Sequence, residues 1–498
     1  MMTRNAWYFT RGVIILAFGA VAFFSLELVL EWNYPWSGLT QFNAEEARNL
    51  IVLLNKALNQ SMAVVFIAVG IAVPLTANIY SLKFLEFFIK NPVNASVLVF
   101  VVFANLNCAW IGYTMKNDYI PTQQLNIVFI LTIVCLVLIF PYLNYIFRFL
   151  HPNTLLNLLE EEINDSLRRA RRLPDASAIQ RRVAETLEHI ADVAIRSLER
   201  SDRNTAIQSV LTLERAARSY WAIKEELSPP WFETKQDLFL GFPLEVVEEV
   251  TTNRDWVEMK LYCQLLEVLR AACPRMPELT STISKSLCHL ALGDQSREDR
   301  ALRELAIEHF NTFLRLAINR KDVRSLFIIF DQYRTFAEAL NKTHPQEALE
   351  IAYYFEYYGQ AAREGQLPFV VETVAHDLGY LVRRAWETGA ANKEKLLERF
   401  LHLDRQAASS LPGVLKAQAL LAGYFLLSGQ TDPVAQIRNN FQNLDPTSIA
   451  SLKEDVIHVK RRNYWEIGER RMNIDYVPEP QREKVREFFE SLQLKERA

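Results

Sequence analysis

Glycine is scarce in this sequence. Fifteen glycines in 498 residues leave few positions for the tight turns of sheet-rich folds. Strand-like alternation is also rare, so the chain reads as helical. Cysteine is scarce as well. Cys108, Cys135, Cys263, Cys273 and Cys288 show no metal-ligand spacing, and an odd, scattered set is no disulfide framework; it suits a reduced, cytoplasmic setting. A strong charge of either sign is missing: the formal net charge is −3, which gives no electrostatic footprint for nucleic acid. There is no glycine-rich phosphate loop and no Cys/His cluster. His376-Asp377 sits among Val374, Ala375 and Leu378 and reads as part of a helix rather than as a metal-phosphohydrolase dipeptide. His402 and Asp404 lie two apart and share no helix face. The chain is therefore read as a non-enzyme, with no catalytic residue, metal or cofactor.

Long apolar runs are present, and nearly all lie before residue 150. Roughly 20 apolar residues cross a hydrocarbon core about 30 Å thick. Four spans are predicted within a membrane domain at 1–150: about 11–31, 61–83, 94–113 and 126–147. Glu27 falls in the last turns of the first run, as a carboxylate snorkelling to the interface or as an ion site. Glu31 to Gly38 is an aromatic interfacial turn. Asn43, with Glu45 and Glu46 behind it, starts an amphipathic helix at 43–60 that is placed outside the membrane. Ala63, Gly70 and Ala77 then recur every seven residues, a small-residue face that lets a neighbouring helix approach. Pro74 is expected to kink this helix, with Thr76 and Asn78 just beyond it. The helix is expected to continue through Lys83, Glu86 and Lys90, and Asn91-Pro92 to open the next one.

Asn105 and Asn107 lie near the middle of the third span. A side-chain amide in hydrocarbon needs a partner. The two asparagines either bond between helices or, with Thr76 and Asn78, line a pore or substrate path. Arg4, Arg11, Lys83, Lys90 and Arg148 fall on one side of the membrane; Arg48, Lys56 and Lys116 fall on the other. The excess of positive charge puts both termini in the cytoplasm.

The polar remainder divides into juxtamembrane helices at 151–228, an irregular Pro- and aromatic-containing linker at 229–252 that is read as a subdomain boundary, and a helical-repeat-like domain at 253–498. Arg168, Arg169, Arg171 and Arg172 follow Glu160 to Glu162. They form either a lipid-contacting basic patch or a solvated helix face with internal ion pairs. Helix starts are expected at Asn253, Ser296, Asp322, Pro345, Pro368, Pro412, Pro433 and Pro446, and stops at Gly293, Gly365, Gly389 and Gly429. Leu421-Ala422-Gly423-Tyr424, with Gly429 and Pro433, looks like one tetratricopeptide-type hairpin. The aromatic run Tyr353 to Tyr358 reads as packing between stacked helices, and the helix after Pro478 as a docking cap. The fold class is thus all-α: a four-span transmembrane bundle with a large cytoplasmic stacked-helix (α-solenoid) region.

Two stretches carry a resemblance. Asn59 to Trp110 has a span, a short inner extension and a second span after a small turn. In Ala191 to Ala206, Ala194, Arg196, Leu198, Asn204, Thr205 and Ala206 fit a recurrent segment whose Ser-Pro and Asp-Pro elements are absent here. Both resemble an uncharacterised family of bacterial predicted membrane proteins, a domain of unknown function with four spans and a cytoplasmic helical part. The resemblance covers about the first 220 residues. It implies four spans and a bacterial inner (plasma) membrane, and carries over no site residues.

The functional expectation is a membrane-anchored interaction or sensor platform acting through its cytoplasmic helices. The alternative is an oligomeric ion channel or conduit lined by the second and third spans. The expected partners are the lipid bilayer, further copies of the chain and a cytoplasmic protein, and not nucleic acid.

Overall fold

The computed structural model describes residues 43–493, apart from 80–82, 117–119, 121, 150, 173–176, 294–298, 406–410, 443, 464–469 and 471–472. The expected first span at 11–31, Glu27 and the interfacial turn lie outside the described residues, as do Ser296 and Arg471. The described part is all-α and divides into two compact units, Met1–Glu161 and Glu162–Ala498.

In the first unit, α1 (Ala44–Ile79) begins with a reciprocal cap. Asn43 Oδ1 accepts from the Glu46 amide at 2.8 Å, and Glu46 Oε2 accepts from the Asn43 amide at 3.0 Å. At 36 residues, α1 is about 54 Å long, and it contains Pro74. The expected extension is helical over Lys83–Lys90, labelled α2. Asn91 then caps α3 (Pro92–Thr114) by accepting from the Val93 amide at 2.9 Å, with Pro92 in the first turn. The last element of the bundle is α4 (Thr122–Phe149).

Helices α1, α3 and α4 pack on one another. Ile51, Leu54 and Leu58 meet Val101, Ala104 and Cys108, and Val128 and Cys135 close the core. Ala44–Ile71, Pro92–Thr114 and Gln124–Phe149 are long and apolar enough to cross a membrane. The sequence reading put 43–60 outside the membrane; the structure packs this segment on another helix of the bundle. Asn105 Nδ2 donates to the Leu58 carbonyl and Cys108 Sγ to the Ile51 carbonyl, so 51–58 runs beside the third expected span. The amphipathic period of this segment marks a face turned to α3 and α4.

The second unit begins inside α5 (Pro152–Ala170). It continues with α6 (Ser177–Glu199), α7 (Arg203–Trp221), α8 (Leu244–Asn253), α9 (Trp256–Ala272), α10 (Pro277–Ala291), α11 (Arg300–Asn319), α12 (Val323–Thr343), α13 (Pro345–Glu364), α14 (Phe369–Thr388), α15 (Lys393–Arg405), α16 (Pro412–Leu427), α17 (Thr431–Asn440), α18 (Pro446–Ile457) and α19 (Glu479–Gln493). The packing forms two rows. One runs α7, α10, α12, α14, α16, α19, each on the next, and the other runs α9, α11, α13, α15, α17. Each hairpin leaves an apolar face that only the following hairpin covers, which is the logic of a stacked-helix array.

Asp202, Asp299, Asp322 and Asp445 cap α7, α11, α12 and α18 by accepting from the amides of Thr205, Leu302, Ser325 and Ser448. Gly389 and Gly429 leave α14 and α16 in the left-handed region, at φ 66° and 72°. Of the expected starts, Asn253 is instead the last residue of α8, and Pro433 lies inside α17. The stretch 229–252 does not divide the unit. Buried Trp231 packs on Trp256 with ring centroids 5.1 Å apart, and its carbonyl accepts from Gln180 Nε2 and Trp256 Nε1. Its last nine residues belong to α8, which is short and rich in glutamate and threonine.

Candidate functional site

Of the residues singled out in the membrane unit, the structure describes the side chains of Asn105, Asn107 and Pro74. Asn105 is half-buried between α1 and α3. Its Nδ2 lies 3.1 Å from the Val101 carbonyl and 3.4 Å from that of Leu58, and 3.8 Å from Met62 Sδ. That geometry ties two helices together. Asn107 is half-exposed and Pro74 is exposed; the side chains of Thr76 and Asn78 lie outside the description. Asn105→Ala is expected to lower stability in detergent by only about 0.6 kcal/mol, the usual worth of an interhelical bond in a membrane. A thermal melt of the purified protein checks this. A loss several times larger would mean that the amide does more than join α1 to α3.

The four basic residues after the membrane unit are all exposed. Arg168 reaches Asp165 at 3.3 Å, and Arg171 Nε pairs with Glu226 at 2.5 Å. Two of the four therefore have acidic partners within their own unit.

The soluble unit holds a groove of about 610 Å³ over α12, α14 and α16. Its walls carry arginines laid on tyrosine rings. The Arg334 guanidinium is 4.5 Å from the Tyr380 centroid, and that of Arg383 is 4.9 Å from Tyr424. Such stacking holds a cation in place, and both edges are also engaged: Arg334 donates to Asp331 at 2.8 Å and Arg383 Nε to Glu387 at 2.8 Å. Asp377 anchors the floor. Arg470 grips both of its oxygens, at 2.7 and 2.8 Å, and Arg334 Nε lies 3.3 Å away. The segment Asn473–Pro478 lines the same groove, with Asp475 3.2 Å from His376 Nε2. Burial would raise the Asp475 carboxyl, but the bond from His376 outweighs it and holds the group below its ordinary value. Burial, reinforced by Glu338, pushes the Tyr380 phenol up. His376 and Asp377 thus serve a groove wall, in keeping with their reading as helix residues. The groove residues come from separate hairpins, so no local motif in the sequence could have gathered them.

A second cluster is fully buried between the end of α7 and the start of α9. Lys224 Nζ and Trp221 Nε1 both donate to Glu258 Oε1, at 2.7 and 2.9 Å. Asp255 lies nearby, 3% exposed. Burial, with the Glu258 charge adding to it and Lys224 opposing, pushes its carboxyl up to about 7. Lys224 falls in a short 3₁₀ turn, where helical periodicity gave no reason to expect a buried lysine.

These features define an apolar bundle with three helices long and apolar enough to cross a membrane, and a larger stacked-helix unit. Residues 4–186 match the family described as "Predicted membrane protein (DUF2254)", so the amino-terminal part of the chain is similar to that family. The match stops short of Ala191–Ala206, one of the two stretches on which the resemblance was read. No curated protein matches the chain. Among solved structures, a chain titled "Circular tandem repeat protein with novel repeat topology and enhanced subunit contact surfaces" is similar at 14% identity, over 91% of this chain and 97% of that one. Its TM-score of 0.26 is too low to indicate a shared fold.

Proposed function

We propose that this protein is a membrane-anchored interaction platform whose soluble helical array captures another protein in the groove over α12, α14 and α16. The observation that carries this reading is the pair of arginine–tyrosine stacks, Arg334 on Tyr380 and Arg383 on Tyr424. Stacked Arg383, which gives its Nε to Glu387, stands beside apolar Leu420 and Leu421 and suits a partner segment that presents a carboxylate next to apolar side chains. In this reading the membrane is a bacterial inner membrane, both termini are cytoplasmic, and the array faces the cytoplasm.

The test is photo-crosslinking in cells of the full-length protein carrying a photoreactive residue at Tyr424. A discrete adduct with one protein, lost on Arg383→Glu, is the expected result. No adduct, or one indifferent to that substitution, refutes the proposal. The channel alternative has less support, because Asn105 bonds within the single-chain bundle.

A further inference from the structure

Many cations of the second unit stand against a carboxylate. Arg182 meets Glu162, Arg303 meets Glu347 and Arg399 meets Glu356. In the groove over α12, α14 and α16 the same holds for Arg334, Arg383 and Arg470. One recess differs. It lies between α11 and α13, beside the turns that end them, and has a volume of about 280 Å³, near the lower end of the usual range for ligand pockets. Arg315, Asn319, Lys321, Tyr357 and Tyr358 line it, and none of its lining residues is acidic.

Both cations are held there by neutral groups. The Arg315 guanidinium lies 5.9 Å from the Tyr358 ring centroid, and its bonds to the Tyr358 and Tyr357 hydroxyls hold it charged. Lys321 Nζ donates to Gln366 Oε1 at 3.0 Å. Lys321 and Gln366 stand in the left-handed region, at φ 51° and 68°, where the chain leaves α11 and α13. Among the described residues neither Arg315 nor Lys321 has a carboxylate partner. Cations near a helix end ordinarily serve its last carbonyls. Arg320 does so, since its guanidinium donates to the Cys273 carbonyl at the end of α9. Arg315 and Lys321 bond instead to side chains of α13 and the turn after it.

The tyrosine run supplies the other donors. Its reading as packing between stacked helices fits Phe355, which is fully buried, and Tyr358, which is 5% exposed. Tyr357 is 44% exposed, with its ring centroid 5.0 Å from that of Tyr358. A phenol that accepts from a guanidinium still has its own O–H to give. The recess therefore offers a planar guanidinium, an ammonium and phenolic donors, with two positive charges that no acid offsets. A carboxylate would neutralise one of those charges. A phosphate monoester carries about −1.5 to −2 at neutral pH and three acceptor oxygens, and guanidinium and ammonium groups both bind it.

We propose that the recess between α11 and α13 binds the phosphoryl group of a small phosphate ester, held by Arg315, Lys321 and the Tyr357 hydroxyl. Ile318 and Ala361 give the carbon atoms of the ester an apolar wall. The site is separate from the groove over α12, α14 and α16 and does not rest on the reading of that groove.

The test is calorimetric titration of the full-length protein in a neutral detergent at constant ionic strength. The probes are glycerol 3-phosphate, a short-chain phosphatidic acid and acetate. Saturable binding of at least one phosphate ester is expected, weakened at least about tenfold by Arg315→Gln and by Lys321→Gln. Binding of glycerol 3-phosphate supports the site with a free ester as its ligand, and binding of phosphatidic acid alone supports it with a lipid headgroup. Both substituted side chains are exposed, so each variant should keep the parent melting temperature without ligand. Tyr357→Phe keeps the ring and should weaken binding less than either. No saturable binding of either ester, binding that either glutamine variant leaves unchanged, or equal binding of acetate overturns the proposal.

Discussion

Replacing Lys224 by alanine is expected to destabilise the soluble unit by roughly 3–5 kcal/mol, the usual penalty for removing one partner of a buried ion pair. Lys224 and Glu258 are 5% and 2% exposed, and their side chains meet at 2.7 Å. Without the ammonium, Glu258 keeps only the Trp221 bond on Oε1, and its other oxygen, Oε2, is already buried with no partner. The loss arises from the stranded charge more than from the missing attraction. Lys224→Met with Glu258→Gln should therefore cost much less than Lys224→Ala, since it removes both charges while keeping the volume. Denaturant melts of the full-length protein in detergent distinguish the cases. A loss below about 1 kcal/mol for Lys224→Ala would show that water reaches the cluster.

The same cluster sets a pH dependence. Asp255 has its carboxyl pushed from 3.8 up to about 7, so the folded chain holds this proton more tightly than the unfolded chain does. The resulting stability is fully present below the unfolded value of 3.8 and is lost as pH rises through about 7. The melting temperature should accordingly fall between about pH 4 and about pH 7, and Asp255→Asn should flatten that slope. A profile equally steep in the Asn variant would assign the effect to other groups.

Gly423→Val is expected to detach α19. At this position α16 and α19 cross closely. An added Cβ would run into Val485 Cγ2 and lie 3.1 Å from both the Gln481 carbonyl and the Val485 amide. A side chain can turn away, but a helix backbone cannot, so the two helices must separate. Val485, Phe488 and Phe489, all fully buried, would then lose their cover, and each such residue is worth about 1.5–3 kcal/mol. Hydrogen exchange should show fast exchange across 479–493 in the variant and slow exchange in the parent chain. Gly423→Ala paired with Val485→Ala should recover part of the protection. Full protection in Gly423→Val would mean that the crossing has room to widen.

The sequence was readable where one short rule decides the local structure. Aspartate and asparagine caps, Pro92, Pro345, Pro412 and Pro446 in first turns, and Gly389 and Gly429 at helix ends all mark boundaries by local backbone chemistry. Apolar length alone located the spans in α3 and α4. The final helix was read as a docking cap from its position at the end of the array, and it packs on α16. The packing of the first turns of α1 on α3 was not readable, because an amphipathic period does not say which helix its apolar side meets. The groove and the buried Lys224 cluster were also beyond reach. Their members are brought together by stacking of distant hairpins, and a lysine or arginine in the sequence carries no sign of whether it will be buried.

The division between the two units falls inside α5, between Glu161 and Glu162, and not in a loop. Leu155, Leu156 and Leu159 are buried before that point, and Ile163, Leu167 and Ala170 after it. Proteases cut extended, accessible backbone, and a helix whose amides are bonded and whose apolar side is covered on both halves offers them none. Limited digestion should therefore not release the soluble unit at its own boundary. A fragment designed to begin at residue 162 would start in mid-helix, with the amides of its first turn unbonded and uncapped. Soluble fragments are better begun at the helix start, His151-Pro152, where the chain supplies its own punctuation.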